Sequence, residues 1–276
     1  MRTSLPFFAL HLLPLLAVFT GVSATTWILF AVTYWTRMFF ITGGYHRYFS
    51  HRSYRTSRAF QFILAFGGAS ASQKGPLWWA GHHRLHHRYS DTAKDPHTPL
   101  KGFWWSHVGW ILGDDTKESP GTMKDFSKFP EIRFISKYDW IPVWSLAIVC
   151  FLIDGWSGVL IGFVLSTVVL WHSTFLVNSL AHVSGRRRFE TSDTSRNNWF
   201  IALLTLGEGW HNNHHNRAHV ARQGLKWWEI DVTWYILLAL EKLHIIWDVR
   251  RPRVGTDGDD LSDIVDLTDD EPALIA

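Results

Sequence analysis

The 276-residue chain contains one cysteine, Cys150. A single thiol excludes an internal disulfide, a zinc–thiolate site and an iron–sulfur cluster held within the chain. Charge is also missing, but only locally. The 27 Lys plus Arg nearly balance the 24 Asp plus Glu, which gives no reason to expect a nucleic-acid partner. Yet residues 3–36 contain no Asp, Glu, Lys or Arg, and across residues 140–185 Asp154 stands alone. What the chain has in quantity is aromatic: 17 Trp, 19 Phe and 7 Tyr.

A bilayer core of roughly 30 Å takes about 20 helical residues. Each charge-free stretch is therefore too long for one crossing and suits a hairpin of two. The turns fall at "TGVSATT" (residues 20–26) and "DGWSG" (residues 154–158). The expectation is an all-α integral membrane protein with four transmembrane helices at about 5–22, 26–43, 141–153 and 159–177, the third short enough to start nearer Tyr138. A competing reading takes residues 1–24 as a cleaved signal peptide, because Arg2, an apolar run and "VSA" fit that pattern; the second apolar run that follows at once speaks against it. The proposed turns carry no Lys or Arg. The segments after spans two and four carry many, among them Arg47, Arg52, Arg55, Arg58, Lys74, Arg84 and Arg88, then Arg186, Arg187, Arg188 and Arg196. The positive-inside rule puts those segments and both termini in the cytoplasm. Residues 1–255 read as one membrane domain. Residues 256–276 hold eight acidic side chains and no basic one, the composition of a disordered tail.

Most of the 16 histidines fall in tight groups on the cytoplasmic side. "HRYFSH" contains His46 and His51, "HHRLHH" contains His82, His83, His86 and His87, and "GWHNNHH" contains His211, His214 and His215. Asn178 and His182 lie four apart at the end of span four. On a helix, positions i, i+3 and i+4 share a face, so His83, His86 and His87 are expected to project together, as are His211, His214 and His215. His46 and His51 diverge by about 140° on a regular helix; they serve one centre only across a break, or else two different metals. His11, His97, His107, His172, His219 and His244 read as isolated structural residues. Nine grouped imidazoles, with no thiolate and no clear carboxylate, are too many for one zinc and suit two metal ions. A membrane metal transporter would place ligands midway through its spans, whereas these clusters sit at span ends.

The motifs "GGYHRYFSHRSY", "HRLHHRYSDTAKDPH", "GFWWSHVGW", "STFLVNSLAH" and "GEGWHNNHH" resemble the membrane fatty-acid desaturases, in the acyl-CoA desaturase branch, from about Gly43 to Gly224. Membrane alkane hydroxylases share the histidine-box principle but are less similar. The resemblance implies a cytosolic helical cap over the spans, holding two irons. It makes His46, His51, His83, His86, His87, His182, His211, His214 and His215 the ligands, with Asn178 on a metal-bound water. It implies cis-desaturation of a saturated acyl chain, most often at carbon nine, using O₂ and electrons from a separate ferredoxin- or cytochrome-type donor. Gln73, Trp79 and Thr174 match positions that shape the acyl tunnel. One departure stands out. An Arg–Asp pair that helps hold CoA in animal members is Gly81–His82 here, which opens the alternative of an acyl chain on a phospholipid or carrier protein, with Arg186–Arg188 and Arg196 as possible phosphate contacts.

Overall fold

The computed structural model describes residues 4–113, 121 and 123–252; the acidic tail expected at 256–276 lies outside them. The first apolar stretch forms α1 (Ser4–Leu12), continued by a tighter 3₁₀ segment (Leu13–Phe19). The change coincides with Pro14, which lacks the N–H that an α ladder needs. The chain then turns, and Ser23 and Thr26 cap each other reciprocally to open α2 (Ala24–Phe39). α2 does not stop near Gly43, where the second span was expected to end. It runs on as a π-helical segment (Phe40–Ser50) that carries the first histidine pair. α3 (Arg58–Ala69) and α4 (Pro76–Tyr89) follow, then a second π-helical segment (Trp105–Gly109) and α5 (Pro130–Lys137).

Among the described residues one helical run, Trp140–Val183, is long and apolar enough to cross a membrane. It is not straight. α6 (Trp140–Ser157) breaks at Asp154 (φ −144°, ψ 29°) and Gly155 (φ 56°, ψ −143°), and the positive φ is one that glycine adopts freely. Beyond the break, a π-helical segment (Gly158–Leu165) lies back against α6, burying Ala147, Cys150, Phe163 and Val164 with Leu29 of α2, and α7 (Ser166–Asn178) continues along α2. An unbroken helix of 44 residues would be about 66 Å long; the reversal divides it into two shorter legs. Asp154 accepts a hydrogen bond from Thr26 Oγ1, and Ser157 Oγ donates to the Gly21 carbonyl at 2.7 Å, which ties the two turns together. Ala17 packs on Leu160 and Ile161, and Phe7 stacks on Trp171 at 5.6 Å. Residues 4–19 are thus part of the packed body.

Arg37 is fully buried between these helices. Its guanidinium donates to Thr167 Oγ1 and Ser166 Oγ, both at 2.6 Å, and to the Thr33 carbonyl at 3.0 Å. Three dipoles take the place of water around a charge that would otherwise be costly to bury. Towards the C-terminal end follow α8 (Leu180–Val183), α9 (Trp199–Leu204), α10 (His211–Asn216) and α11 (Val232–Lys242), and one antiparallel ladder joins two-residue strands, β1 (Arg55–Thr56) and β2 (Ile246–Trp247). The described fold is otherwise all-helical. Its main core joins Met38, Tyr45, Phe49, Leu64, Ile135 and Leu237, and so fixes the first histidine segment against α3, α5 and α11.

Candidate metal centre and adjoining cavity

The grouped histidines converge into two sets. His46, His51, His83, His87 and His214 bring one ring nitrogen each within 4.8 Å of one another; His86, His182, His211 and His215 do the same a short distance away. The approaches are close: His51 Nε2 to His83 Nε2 2.9 Å, His46 to His214 3.0 Å, His182 to His211 3.2 Å, and His86 to His215 3.4 Å.

Local backbone explains this sorting. In the π-helical segment the His51 amide donates to the His46 carbonyl at 3.2 Å. That i-to-i+5 bond stacks residue 51 over residue 46, so the pair that a regular helix would splay enters one group. Each H-x-x-H-H motif, by contrast, divides instead of facing one centre. On α4, His83 and His87 join the first set and His86 the second; on α10, His211 and His215 join the second and His214 the first. The i, i+4 pairs stay together, and the residue between them, offset around the helix by about 100° per position, reaches the other set. His182 arrives from α8, just after Ser179 ends α7.

Four carboxylates that the sequence reading left without a role stand behind the imidazoles. Glu208 lies 2.5 Å from His46 Nδ1, Asp193 2.7 Å from His215 Nδ1, Asp95 3.0 Å from His86 Nδ1 and Asp91 3.1 Å from His182 Nδ1. An ionised carboxylate only accepts, so each Nδ1 must donate, and in the neutral ring Nε2 is then a bare lone pair. Three of the four acids lie inside motifs quoted above, "SDTAKD" and "GEGWH"; nothing in the sequence marks Asp193. Burial, joined by neighbouring imidazoles, pushes His51, His83, His87, His211 and His214 well below the ordinary histidine range. Burial also lowers His215, to about 4, although Asp193 pulls the other way. Asp91 is raised by burial, but its bond to His182 prevails and brings it to about 2. Carboxylates thus turn the Nε2 atoms of His46, His86, His182 and His215 into their sets, where ring nitrogens of neighbouring histidines stand about 3 Å apart. Nitrogen donors gathered around one point suit a cation in the middle, so the residues present fit a pair of metal ions.

Behind His46 the network continues. Glu208 also accepts from Arg47 Nη2 (3.2 Å) and Gln223 Nε2 (2.9 Å), and Arg47 reaches Asp231 at 2.8 Å. Gly207, with φ +125°, sets the turn before Glu208, and a Cβ there would lie 2.5 Å from Asp231 Oδ1.

A cavity of about 440 Å³ opens beside the first set. Gln73, Trp79 and Thr174 all line it and are joined in a row: Trp79 Nε1 donates to Gln73 Oε1 at 3.0 Å, and Gln73 Nε2 donates to Thr174 Oγ1 at 2.9 Å. The Trp79 ring stacks on His83 at 5.3 Å. Phe7, Leu10, Trp171 and Phe175 supply apolar wall, while Asn178 and His82 also face the space. Among the described residues lining it, Lys74 is the one Lys or Arg. Two of the arginines expected to meet phosphate are engaged internally: Arg188 pairs with Glu229 at 2.5 Å, and Arg187 donates to the carbonyls of Thr191 and Asp193, both at 2.9 Å.

Two imidazole sets able to hold metal, opening on a greasy cavity, define the class: a histidine-rich oxidoreductase built for an apolar substrate. The comparisons make it specific. The fatty acid desaturase family model matches residues 22–246. The chain is 41% identical over 212 residues to the sn-1 stearoyl-lipid 9-desaturase of Anabaena variabilis, covering 76% of this chain and 78% of that one. It is 39% identical over 249 residues to the acyl-CoA C20 Delta5-desaturase of Anemone leveillei (88% and 79%) and 36% identical over 249 residues to delta-9 acyl-lipid desaturase 2 of Arabidopsis thaliana (89% and 81%). The chain belongs to the fatty acid desaturase family and is a desaturase enzyme of lipid metabolism.

Proposed function

We propose that the protein introduces a cis double bond into a saturated fatty acyl chain, at the delta-9 position, using O₂, two irons and electrons from a separate ferredoxin- or cytochrome-type protein. The observation that carries this reading is the pair of converging imidazole sets, with His46, His86, His182 and His215 oriented by carboxylates, beside an apolar cavity. His46, His51, His83, His87 and His214 would hold one ion. His86, His182, His211 and His215 would hold the other, with Asn178 on its water. Bound iron supplies the oxygen chemistry needed to break C–H bonds that have no useful acidity. The chain's own residues do the positioning, which decides which carbons react. The Trp79–Gln73–Thr174 row crosses the cavity wall next to His83 and is placed to bend an acyl chain there.

The family resemblance points to acyl-CoA, but the cavity favours an acyl lipid. CoA carries phosphates that call for several cations, and the cavity lining offers only Lys74 among its described residues. The names of two of the relatives above, which act on acyl lipids, lean the same way. In the membrane, α1 with its continuation, α2, and the two legs of 140–178 supply four crossings. The reversal at Asp154–Gly155 and the tied turns support this arrangement. Positive-inside asymmetry puts the histidines and both termini in the cytoplasm. The described residues within 1–255 act as one unit, since both hairpins pack into common cores.

Metal content tests the reading. Purified full-length protein reconstituted with iron should hold two ions per chain and desaturate a saturated acyl lipid when given O₂ and reductant. A folded protein that binds no iron would rule it out.

A further inference from the structure

The third histidine segment is preceded by a short, mostly apolar run, "WFIALLTL" (residues 199–206), which is too short to cross a bilayer. Its helix, α9, buries Ile201 and Ala202 but leaves Trp199 69%, Phe200 46% and Leu203 60% exposed. Apolar surface of that size favours leaving water. The hydrogen bonds at the two ends of α9 say what surrounds it.

The upper end is tied to the metal centre. Asn198 Oδ1 accepts from the amides of Phe200 and Ile201 at 3.1 and 3.2 Å, which caps the helix. Next to it, Asn197 Nδ2 donates to Asn213 Oδ1 on α10 at 2.7 Å. The lower end is tied to the spans. Tyr34 Oη donates to the Leu204 carbonyl at 2.8 Å and stands 2.9 Å from Ser173 Oγ. Tyr34 lies ten residues past Ala24, about 15 Å along α2 from its outer end. Ser173 lies fifteen residues past Gly158, about 22 Å along the last leg. A bilayer core is roughly 30 Å thick, so the Leu204 carbonyl sits inside it, in the cytoplasmic half.

The backbone follows the rule that lipid imposes. Non-helical chain at membrane depth is tolerated only where protein covers it. Residues 199–204, which carry the exposed side chains, are helical. The return over residues 205–210 is a series of turns, and every residue in it is buried. Its polar groups are paired: Thr205 Oγ1 donates to the Ile201 carbonyl at 2.6 Å, the Gly207 amide to the Ala202 carbonyl at 2.8 Å, and the Thr233 amide to the Leu206 carbonyl at 2.9 Å. Helix outside and irregular chain inside is the division a bilayer demands.

We infer that α9 is a re-entrant helix. It dips into the cytoplasmic leaflet, sets Trp199, Phe200 and Leu203 against lipid acyl chains, and returns through residues 205–210 into the third histidine segment. The bilayer is then a direct structural partner of the metal centre, in addition to the four crossings. The inference rests on the four-crossing reading above and is independent of the desaturase chemistry.

Site-directed nitroxides test it. In a Cys150→Ser background, Trp199→Cys, Phe200→Cys and Leu203→Cys each carry one label in full-length protein reconstituted into phosphatidylcholine vesicles. Collision with oxygen, which concentrates in lipid, is compared with collision with a water-soluble nickel chelate. Labels replacing Ile28 of α2 and Ile148 of α6, both exposed, mark the span surface, and one replacing the exposed Lys94 marks water. The label at Leu203 should read as lipid, and about 6 Å deeper than the one at Trp199, four residues above it. Nickel access at Leu203 equal to that at Lys94 would overturn the inference. So would a label shielded from both quenchers, since protein would then cover this face. If Ile28 and Ile148 also read as water, the four-crossing reading falls as well; if they read as lipid and Leu203 as water, the re-entrant helix falls alone. Should the labelled variants misfold, the wild-type chain gives a second reading. Phosphatidylcholine with a diazirine in its acyl chain should photolabel residues 199–203 as it does 148–153, and labelling confined to the spans would overturn the inference.

Discussion

His51 stands directly over His46, its amide bonded to the His46 carbonyl and the two rings edge to face at 4.8 Å. A regular helix would turn these rings apart; the π-helical segment aligns them and puts both into the five-membered histidine set. The second set has its own four ligand candidates. His51→Ala should therefore lower bound iron from two ions toward one, and activity by at least about 10²-fold, while His211→Ala empties the other set. Metal analysis of both variants, with native metal spectroscopy, separates the two losses. Equal loss of both ions in each would contradict the sorting.

Glu208 fixes the His46 proton and neutralises Arg47. Glu208→Gln should weaken metal binding by about 10- to 100-fold, the usual effect of removing such a partner. It should also destabilise the fold by about 3 kcal/mol, because breaking one side of a buried pair leaves charge uncompensated. Chelator competition and thermal unfolding measure the two effects, and a variant with unchanged affinity would show that Glu208 does not set His46.

The pH dependence of the metal-free protein follows from the depressed histidines. His51, His83, His87, His211 and His214 resist protonation when folded, from an ordinary value of 6.5. Below that value the unfolded chain takes up protons that the folded one refuses, so stability present above pH 6.5 is lost as pH falls toward the folded values. Denaturant midpoints of metal-free protein should drop steeply between pH 7 and pH 5. A flat profile there would mean the rings are not held neutral.

Thr174 closes the row that begins at Trp79. Thr174→Ala or Trp79→Phe should shift double-bond position or preferred chain length without removing iron, as read by mass spectrometry of derivatised products. An unchanged product pattern in both would count against a role for this row in bending the chain.

At the hairpin tip, Gly155 combines φ 56° with ψ −143°, a region that costs other residues about 1–3 kcal/mol. Gly155→Val should lower the yield of folded protein and its thermal midpoint. A midpoint equal to wild type would show that the reversal tolerates side chains.

Much of this was legible in the sequence, for identifiable reasons. Charge-free runs of fixed length and the glycines of "DGWSG" located the reversal, because lipid tolerates no unpaired backbone and few charges. Imidazole spacing located the three histidine segments. The sequence did not reveal how the motifs divide, since that depends on how α4 and α10 approach each other, a tertiary fact with no local signature. The π-helical segment was hidden for a similar reason: its extra residue per turn is held by packing of Tyr45 and Phe49 in the core. The carboxylates were visible as letters but not as partners, because Asp193 meets His215 only after the chain has folded back from α8. The same holds for His11, His107 and His172, which are far apart in sequence and touch only in the assembled bundle.

The central claim is that two histidine sets and one cavity make an acyl desaturase. The most direct measurement is the fatty-acid profile, by mass spectrometry, of a host without its own desaturase that expresses this chain or its His86→Ala variant. The account predicts a new cis-monounsaturated acyl chain, unsaturated at carbon nine, with the wild type and none with the variant, both proteins being present in the membrane fraction. A hydroxylated product from the wild type, or the same unsaturated product from the variant, would contradict it.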